Sequence, residues 1–294
     1  MNRVFSTLAV LLLWAVLYCS CTRLPKEISD LPCTVFQEAP DAVPERLILK
    51  NERAEVSLTN GKAVLHCNGI PVFMPDKISK DSKSGKWTLP ERSVQTVLFT
   101  LMAPQKKLKG KVVLIDPGHG GSDHGAPLPF IKGVSEKALN LDLALLLGEE
   151  LQRHGFTVLY TRTSDRKVKL NQRGNAFQAD IFISVHHNSA ANPDAAGFEV
   201  FCLTPQAPER FTQIRKSVQL ASALQQAQQE VTSSPGRGVR FANFQVLRDA
   251  KCPAVLIEAG FLSNREEALC CADVNYRKRL AAVLARAIRE NVSL

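Results

Sequence analysis

From residue 111 to the end of the chain, strand-length apolar runs alternate with helix-length amphipathic ones, and this rhythm restricts the fold more than any other feature. Lys111-Val112-Val113-Leu114-Ile115 is a buried-strand run that stops at Asp116-Pro117-Gly118. Over residues 136–154, Leu139, Leu143, Leu146, Leu147 and Leu151 recur three and four apart, which is one face of a helix, and Gly155 ends it. Residues 156–160, 181–185, 198–203 and 254–257 read as further strands, and 214–231 and 277–291 as helices. Strands and helices alternating at these lengths predict an α/β fold: a mostly parallel twisted sheet with helices on both faces. In such sheets, functional side chains gather at the carboxyl ends of the strands.

The preceding segment follows another pattern. Glu55-Val56-Ser57-Leu58 alternates, Asn60-Gly61 signals a hairpin turn, and residues 62–66 alternate again. Asn68-Gly69 marks a second turn before Pro71-Val72-Phe73-Met74, and residues 81–86 form a polar loop ahead of Trp87. The prediction is a small β-rich N-terminal module over residues 22–105, then a basic linker around 104–110 and a second domain at 110–294. The strand-turn-strand plan faintly resembles the small β domain at the start of copper amine oxidases, a likeness with no chemistry attached.

The first residues predict export. Arg3 precedes an apolar run of 14 residues, Val4 to Leu17, and Tyr18-Cys19-Ser20-Cys21 follows. That is the plan of a signal peptide over residues 1–21, and it is short for a membrane-spanning helix, which needs about 20 residues. An uncleaved anchor is the alternative. Cys21 follows a small residue, as in a lipoprotein box, but the usual Leu three positions earlier is missing, so lipidation and simple cleavage both remain open. Export favours paired cysteines, and of the eight present Cys33 and Cys67 are the candidate pair for the N-terminal segment. No CxxC spacing supports a thiolate metal site. The formal net charge of +9 suits an anionic partner, and without a helix-turn-helix or aromatic RNA-binding pattern nucleic acid is not expected.

Four side chains fall at the predicted strand ends. His119 lies in Asp116-Pro117-Gly118-His119-Gly120-Gly121, His186 follows the run at 181–185, Glu258 follows the run at 254–257, and Glu136 opens the first long helix. Two imidazoles and one carboxylate make a three-ligand tetrahedral zinc site with a fourth position for water. A further carboxylate can take a proton from that water and return it to a leaving amine. The glycines around His119 allow a tight loop. His187 should face away from its neighbour along the strand. His124 is expected to be exposed. Asp123 is expected either to orient His119 or to stabilise the loop.

These residues sit in segments that resemble a known family. Residues 115–126 are similar to the opening motif of the type 3 N-acetylmuramoyl-L-alanine amidases. Glu136-Lys137 is similar to their second motif, Ser184-Val185-His186-His187-Asn188 to their third, and residues 253–264 to their last. Tyr160-Thr161-Arg162 and Arg173 also resemble family segments. The resemblance implies that His119, Glu136 and His186 bind Zn2+ and that Glu258 is the general base and acid. It implies hydrolysis of the amide between N-acetylmuramic acid and L-alanine, with a muropeptide or peptidoglycan as partner; export places the enzyme in the periplasm or cell envelope, and a monomer is expected. The N-terminal module would then position the enzyme or touch the wall. Only 72 positions separate His186 from Glu258, too few for the long autoinhibitory helix of some relatives. Two alternatives stand beside this reading: a non-catalytic wall-binding protein that kept the fold, and a serine peptidase built on Ser164-x-x-Lys167 with Lys83-Ser84-Gly85.

Overall fold

The hairpins form where the turn residues place them in the computed structural model, which describes residues 34–37, 45–52, 54–90, 93–102, 107–232 and 236–294. The predicted leader, Cys21 and Cys33 lie outside the described residues. Strands β1 (Thr34–Gln37), β2 (Arg46–Lys50), β3 (Glu55–Thr59), β4 (Val64–Cys67) and β5 (Ile70–Phe73) make an antiparallel meander. Asn68 and Gly69, at φ of 51° and 81°, supply the left-handed pair that a two-residue hairpin demands. Leu47, Leu49, Val56, Leu58, Leu65 and Val72 are buried, so alternate positions give the meander one apolar face. The short strands β6 (Ser79–Lys80) and β7 (Trp87–Thr88) bracket the polar loop.

Helix α1 (Phe99–Met102) and strand β8 (Leu108–Lys109) lead into β9 (Val112–Pro117), α2 (Glu136–Arg153) and β10 (Thr157–Tyr160). Then come β11 (Ile181–Asn188), β12 (Glu199–Leu203), α3 (Phe211–Ala227), β13 (Gly238–Ala242), α4 (Gln245–Asp249), β14 (Ala254–Phe261), α5 (Arg265–Ala272), α6 (Val274–Asn291) and β15 (Val292–Ser293). Strands β10, β9, β11 and β14 are mutually parallel, β12 runs antiparallel to β14, and β13 is parallel to β12. The expected mostly parallel sheet is thus present, made mixed by the antiparallel β12–β14 pair. Helices α2, α6 and α3 pack side by side, while α4 packs on β12, β14 and the turn at Leu170–Gln172. No helix among the described residues is long and apolar enough to cross a membrane.

Both halves share one sheet of eleven strands, ordered β1-β2-β3-β4-β5-β13-β12-β14-β11-β9-β10. The join is β5 against β13, parallel, with Val72 opposite Val239. Gly238 makes it possible: at φ of 88°, a Cβ there would sit 1.9 Å from the Pro71 carbonyl oxygen. Within the stretch expected to be a linker, β8 pairs with β15 and so joins the end of the chain. Residues 104–106 of that stretch lie outside the described residues.

Two sequence expectations change. Cys67 carries a free thiol, as do Cys202, Cys252, Cys270 and Cys271, so the proposed pairing of Cys67 is not made. Strands β11 and β14 run on to Asn188 and Phe261, past the ends of their apolar runs. His186 and Glu258 therefore lie within strands rather than after them. Pairing continues there because the backbone ladder does not depend on side-chain polarity, and His186 stays opposite Glu258.

The turn after β9 rests on a buried polar cluster. Asp116 is fully buried and pairs at 2.8 Å with Arg173, while the hydroxyls of Thr161 and Ser184 donate to it at 2.6 and 2.9 Å. Asp116→Ala leaves the Arg173 guanidinium buried without its counter-charge, and urea denaturation should read a loss of about 3–5 kcal/mol. A loss below about 1 kcal/mol, the size of an exposed pair, would show that the cluster does not hold the turn.

Candidate active site

The loop that carries His119 is clamped by two arginines. Arg162 donates from Nε to the Pro117 carbonyl at 2.9 Å and from Nη2 to the Gly118 carbonyl at 2.8 Å. Arg173 donates to the carbonyls of Pro117 at 2.9 Å and His119 at 2.8 Å. Held this way, His119 adopts φ of 60°, a left-handed conformation rare outside glycine. Such an outlier persists only where its surroundings over-determine it.

Glu136 is the first residue of α2 and is buried. Its Oε2 lies 3.1 Å from His119 Nε2, and its Oε1 lies 3.1 Å from His186 Nδ1. The donor atoms of His119, Glu136 and His186 all fall within 4.8 Å of one another. Tetrahedral zinc bonds of about 2.0–2.2 Å place ligand atoms a little over 3 Å apart, so this donor set fits that ion. The imidazoles meet edge to face, centroids 4.9 Å apart and planes at 78°. His119 Nδ1 rests 2.9 Å from Asp123 Oδ1, which also accepts from the Gly125 amide at 3.2 Å. Asp123 thus does both things considered for it, leaving Nε2 of His119 for the centre.

Other groups fix Glu136. The Ala126 amide donates to Oε2 at 2.6 Å and Asn140 Nδ2 to Oε1 at 3.0 Å. Burial alone would raise this carboxyl, but hydrogen bonds from His119 and His186 outweigh it and hold Glu136 far below the usual range. His119 moves the other way: burial opposes its charged form, and Glu136 and Asp123 more than offset that, raising it. His187 turns to the opposite side, where its Nδ1 lies 2.7 Å from Asn140 Oδ1. Burial pushes it down to about 4, so it is a neutral structural residue. His124 is exposed, as expected.

Glu258 sits opposite His186 in the β11–β14 register and opposite Glu199 across the β14–β12 pair. Its Oε2 is shielded from solvent and has no hydrogen-bond partner. Burial, with repulsion from Glu136 and Glu199, raises its carboxyl well above the ordinary range. The structure therefore brings all four residues chosen from the sequence to one sheet edge. Sequence reasoning missed Asn140, whose helical spacing of four from Glu136 was the available signal, and the row of Glu199, Arg237 and Arg240 that adjoins Asn188 of the third motif. The Ser164 pattern does not assemble, since the Lys167 amine lies 3.4 Å from the Ser122 hydroxyl and Ser164 is an exposed loop residue.

A helix-covered α/β sheet with two imidazoles, a buried carboxylate and a shielded acid at its edge has the donor set of a mononuclear metal hydrolase. Residues 113–290 match the N-acetylmuramoyl-L-alanine amidase family, and the chain belongs to that family. A protein of Staphylococcus saprophyticus named "Probable cell wall amidase LytH" is 34% identical over 187 residues, 64% of this chain and 60% of that protein. Its namesake in Staphylococcus epidermidis is 33% identical over 186 residues, 63% of this chain and 60% of that protein. The chain thus spans about 60% of the length of these relatives. Among solved structures, the N-acetylmuramoyl-L-alanine amidase of Clostridium difficile 630 superposes with a TM-score of 0.55 at 32% identity, covering 61% of this chain and 95% of that one. The catalytic domain of CwlV from Bacillus (Paenibacillus) polymyxa var. colistinus gives the same TM-score, 0.55, and identity, 32%, covering 61% of this chain and 97% of that one.

Gly118 tests the ligand geometry without touching a ligand. A Cβ there would come within 2.2 Å of the His186 ring. Gly118→Ala should displace that ring and weaken zinc binding by roughly 10–100-fold in competition with a chelating dye, with the thermal transition retained. Unchanged zinc affinity would show that His186 does not reach the ion as placed.

Proposed function

We propose that the chain is an exported, zinc-dependent enzyme that hydrolyses the amide between N-acetylmuramic acid and L-alanine in peptidoglycan. The observation that carries this reading is Glu258: its Oε2 is shielded from solvent without a hydrogen-bond partner, and it stands in register beside His186. A shielded carboxylate oxygen without a hydrogen bond costs stability, and it is explained where the reaction gives it a proton to handle. Family membership supports the amide as the bond, and the relatives' printed names support the cell wall as the place of action.

His119, Glu136 and His186 would hold the ion. When bound, zinc polarises the scissile carbonyl and acidifies water. Glu258 takes a proton from the attacking water as its oxygen bonds to the lactyl carbonyl carbon. The carbon–nitrogen bond then breaks, and Glu258 returns the proton to the departing nitrogen of L-alanine. The products are a muramic acid carboxylate and a stem peptide with a free amino terminus. Asp123 and Asn140 keep His119 and Glu136 oriented throughout.

The non-catalytic alternative leaves the orphaned Glu258 oxygen without a purpose, and the serine-peptidase alternative lacks its lysine. Helix α3 packs with β12, β13, β14 and α6. The 72 positions between His186 and Glu258 hold β12, α3, β13 and α4, and we read the site as open to substrate without release by a partner. The apolar run after Arg3 supports delivery to the periplasm or cell envelope, with lipidation of Cys21 as a further means of attachment.

Mass spectrometry of products from a defined muropeptide tests the assignment. The wild type should release the intact stem peptide, and Glu258→Gln should cut the rate by about 10²–10⁴-fold while keeping its zinc. Equal product from both proteins would remove Glu258 from the mechanism. Dialysis against a chelator should abolish turnover and added Zn2+ should restore it, and activity that survives full metal removal would refute the zinc assignment.

A further inference from the structure

The row of groups beyond Glu258 is built for an anion. Glu199, directly opposite Glu258, is buried and accepts from Arg237 Nε at 2.7 Å and Asn188 Nδ2 at 2.8 Å. Arg240 Nε is shielded from solvent and pairs electrostatically with the same Glu199 oxygen at 2.8 Å without the alignment of a hydrogen bond. Two guanidinium groups thus face Glu199, a surplus of positive charge while the neighbouring Glu258 holds its proton. Both are partly exposed, with 34% and 27% of their side-chain surfaces open.

The N-terminal meander holds the second arginine. Arg240 lies over the Phe73 ring of β5, 4.1 Å from its centroid, and Arg237 lies 5.0 Å from that of Phe261. A guanidinium stacked on an aromatic face keeps its in-plane donors free for a planar acid. Phe201 lies opposite Arg240 in the β12–β13 register and meets Phe244 edge to face at 5.2 Å, so apolar surface continues beside the charge.

We infer that Arg240, positioned by Phe73, binds a carboxylate of the stem peptide and makes β5 part of the substrate site; the inference rests on the amidase reading above. Arg240 is two strands from Glu258, about 10 Å across the sheet, and two residues, about 7 Å, along β13 from Gly238, which is in line with Glu258, so about 12 Å separates the two backbones. Two extended residues span about 7 Å, and an arginine side chain bridges the remainder. The carboxylate that fits is therefore the one on the second stem residue, a γ-linked glutamate, rather than the one at the peptide's C-terminus. Arg240 is a specificity residue, not a catalytic one.

Calorimetry on the zinc-loaded full chain separates this inference from the activity itself, because the released stem peptide serves as the probe. Three forms are compared: the free acid, the form amidated at the second residue, and the form amidated at the C-terminus. Wild type should bind the second-residue amide roughly tenfold more weakly than the other two, the size of one lost charge-assisted contact. Arg240→Gln should erase that preference, Arg240→Lys should keep part of it, and Phe73→Leu should reduce it. Equal binding of all three forms by wild type, or a preference that survives Arg240→Gln, overturns the inference. A preference set by the C-terminal amide instead refutes the second-residue assignment. Failure of wild type to cleave any muropeptide while the preference persists would overturn the amidase reading and leave the carboxylate site standing.

Discussion

Everything at the site depends on the burial of one carboxylate. Asp116 ends a strand whose other side chains are apolar, and a charge there is tolerable only with a full set of partners. Arg173, Thr161 and Ser184 provide them, and each comes from a different part of the chain. Arg173 then has donors left over, which it spends on the carbonyls of Pro117 and His119. The same ion pair that neutralises the core thus sets the path of the loop above it. Only with that path fixed does His119 take its left-handed conformation and reach Glu136.

Two acids of the same type end in opposite states because their surroundings differ. Glu136 and Glu258 are both withdrawn from water, which by itself disfavours the charged form of each. Glu136 meets two imidazoles, an amide and Asn140, and stays ionised. Glu258 meets mainly other acids and holds its proton more tightly. One is therefore suited to hold a cation and the other to exchange a proton, a division that environment alone produces.

The fold class was legible because the helical spacing of Leu139 to Leu151 and the apolar runs at 112–115, 181–185 and 254–257 each have one physical reading. The four site residues were legible because a strand-end rule selects few positions. Less visible was anything that depends on register. His186 and Glu258 were read as lying beyond their strands, since apolarity ends before hydrogen bonding does. Strand β13 begins at Gly238, whose turn-like character hides a close approach to Pro71, and its half-polar Gly-Val-Arg-Phe-Ala carries no clean alternation. Glu199 gave no signal of its own, because a buried acid is recognised by the arginines it meets, and Arg237 and Arg240 lie some forty positions further on.

The join between the two halves follows from the problem of sheet edges. Strand β13 is the last strand of the second half, and left alone it would present a row of unpaired amides and carbonyls beside the site. Strand β5 covers that edge in parallel register, and Gly238 lets the two backbones close. A strand that protects an edge also lays its own side chains along the face that the edge bounds. Alternation sends Val72 into the core and leaves Phe73 half-exposed on the other side, over Arg240. The meander therefore meets Arg240 as a consequence of sheet geometry: a segment that closes the sheet lays its side chains against those of the strand it pairs with.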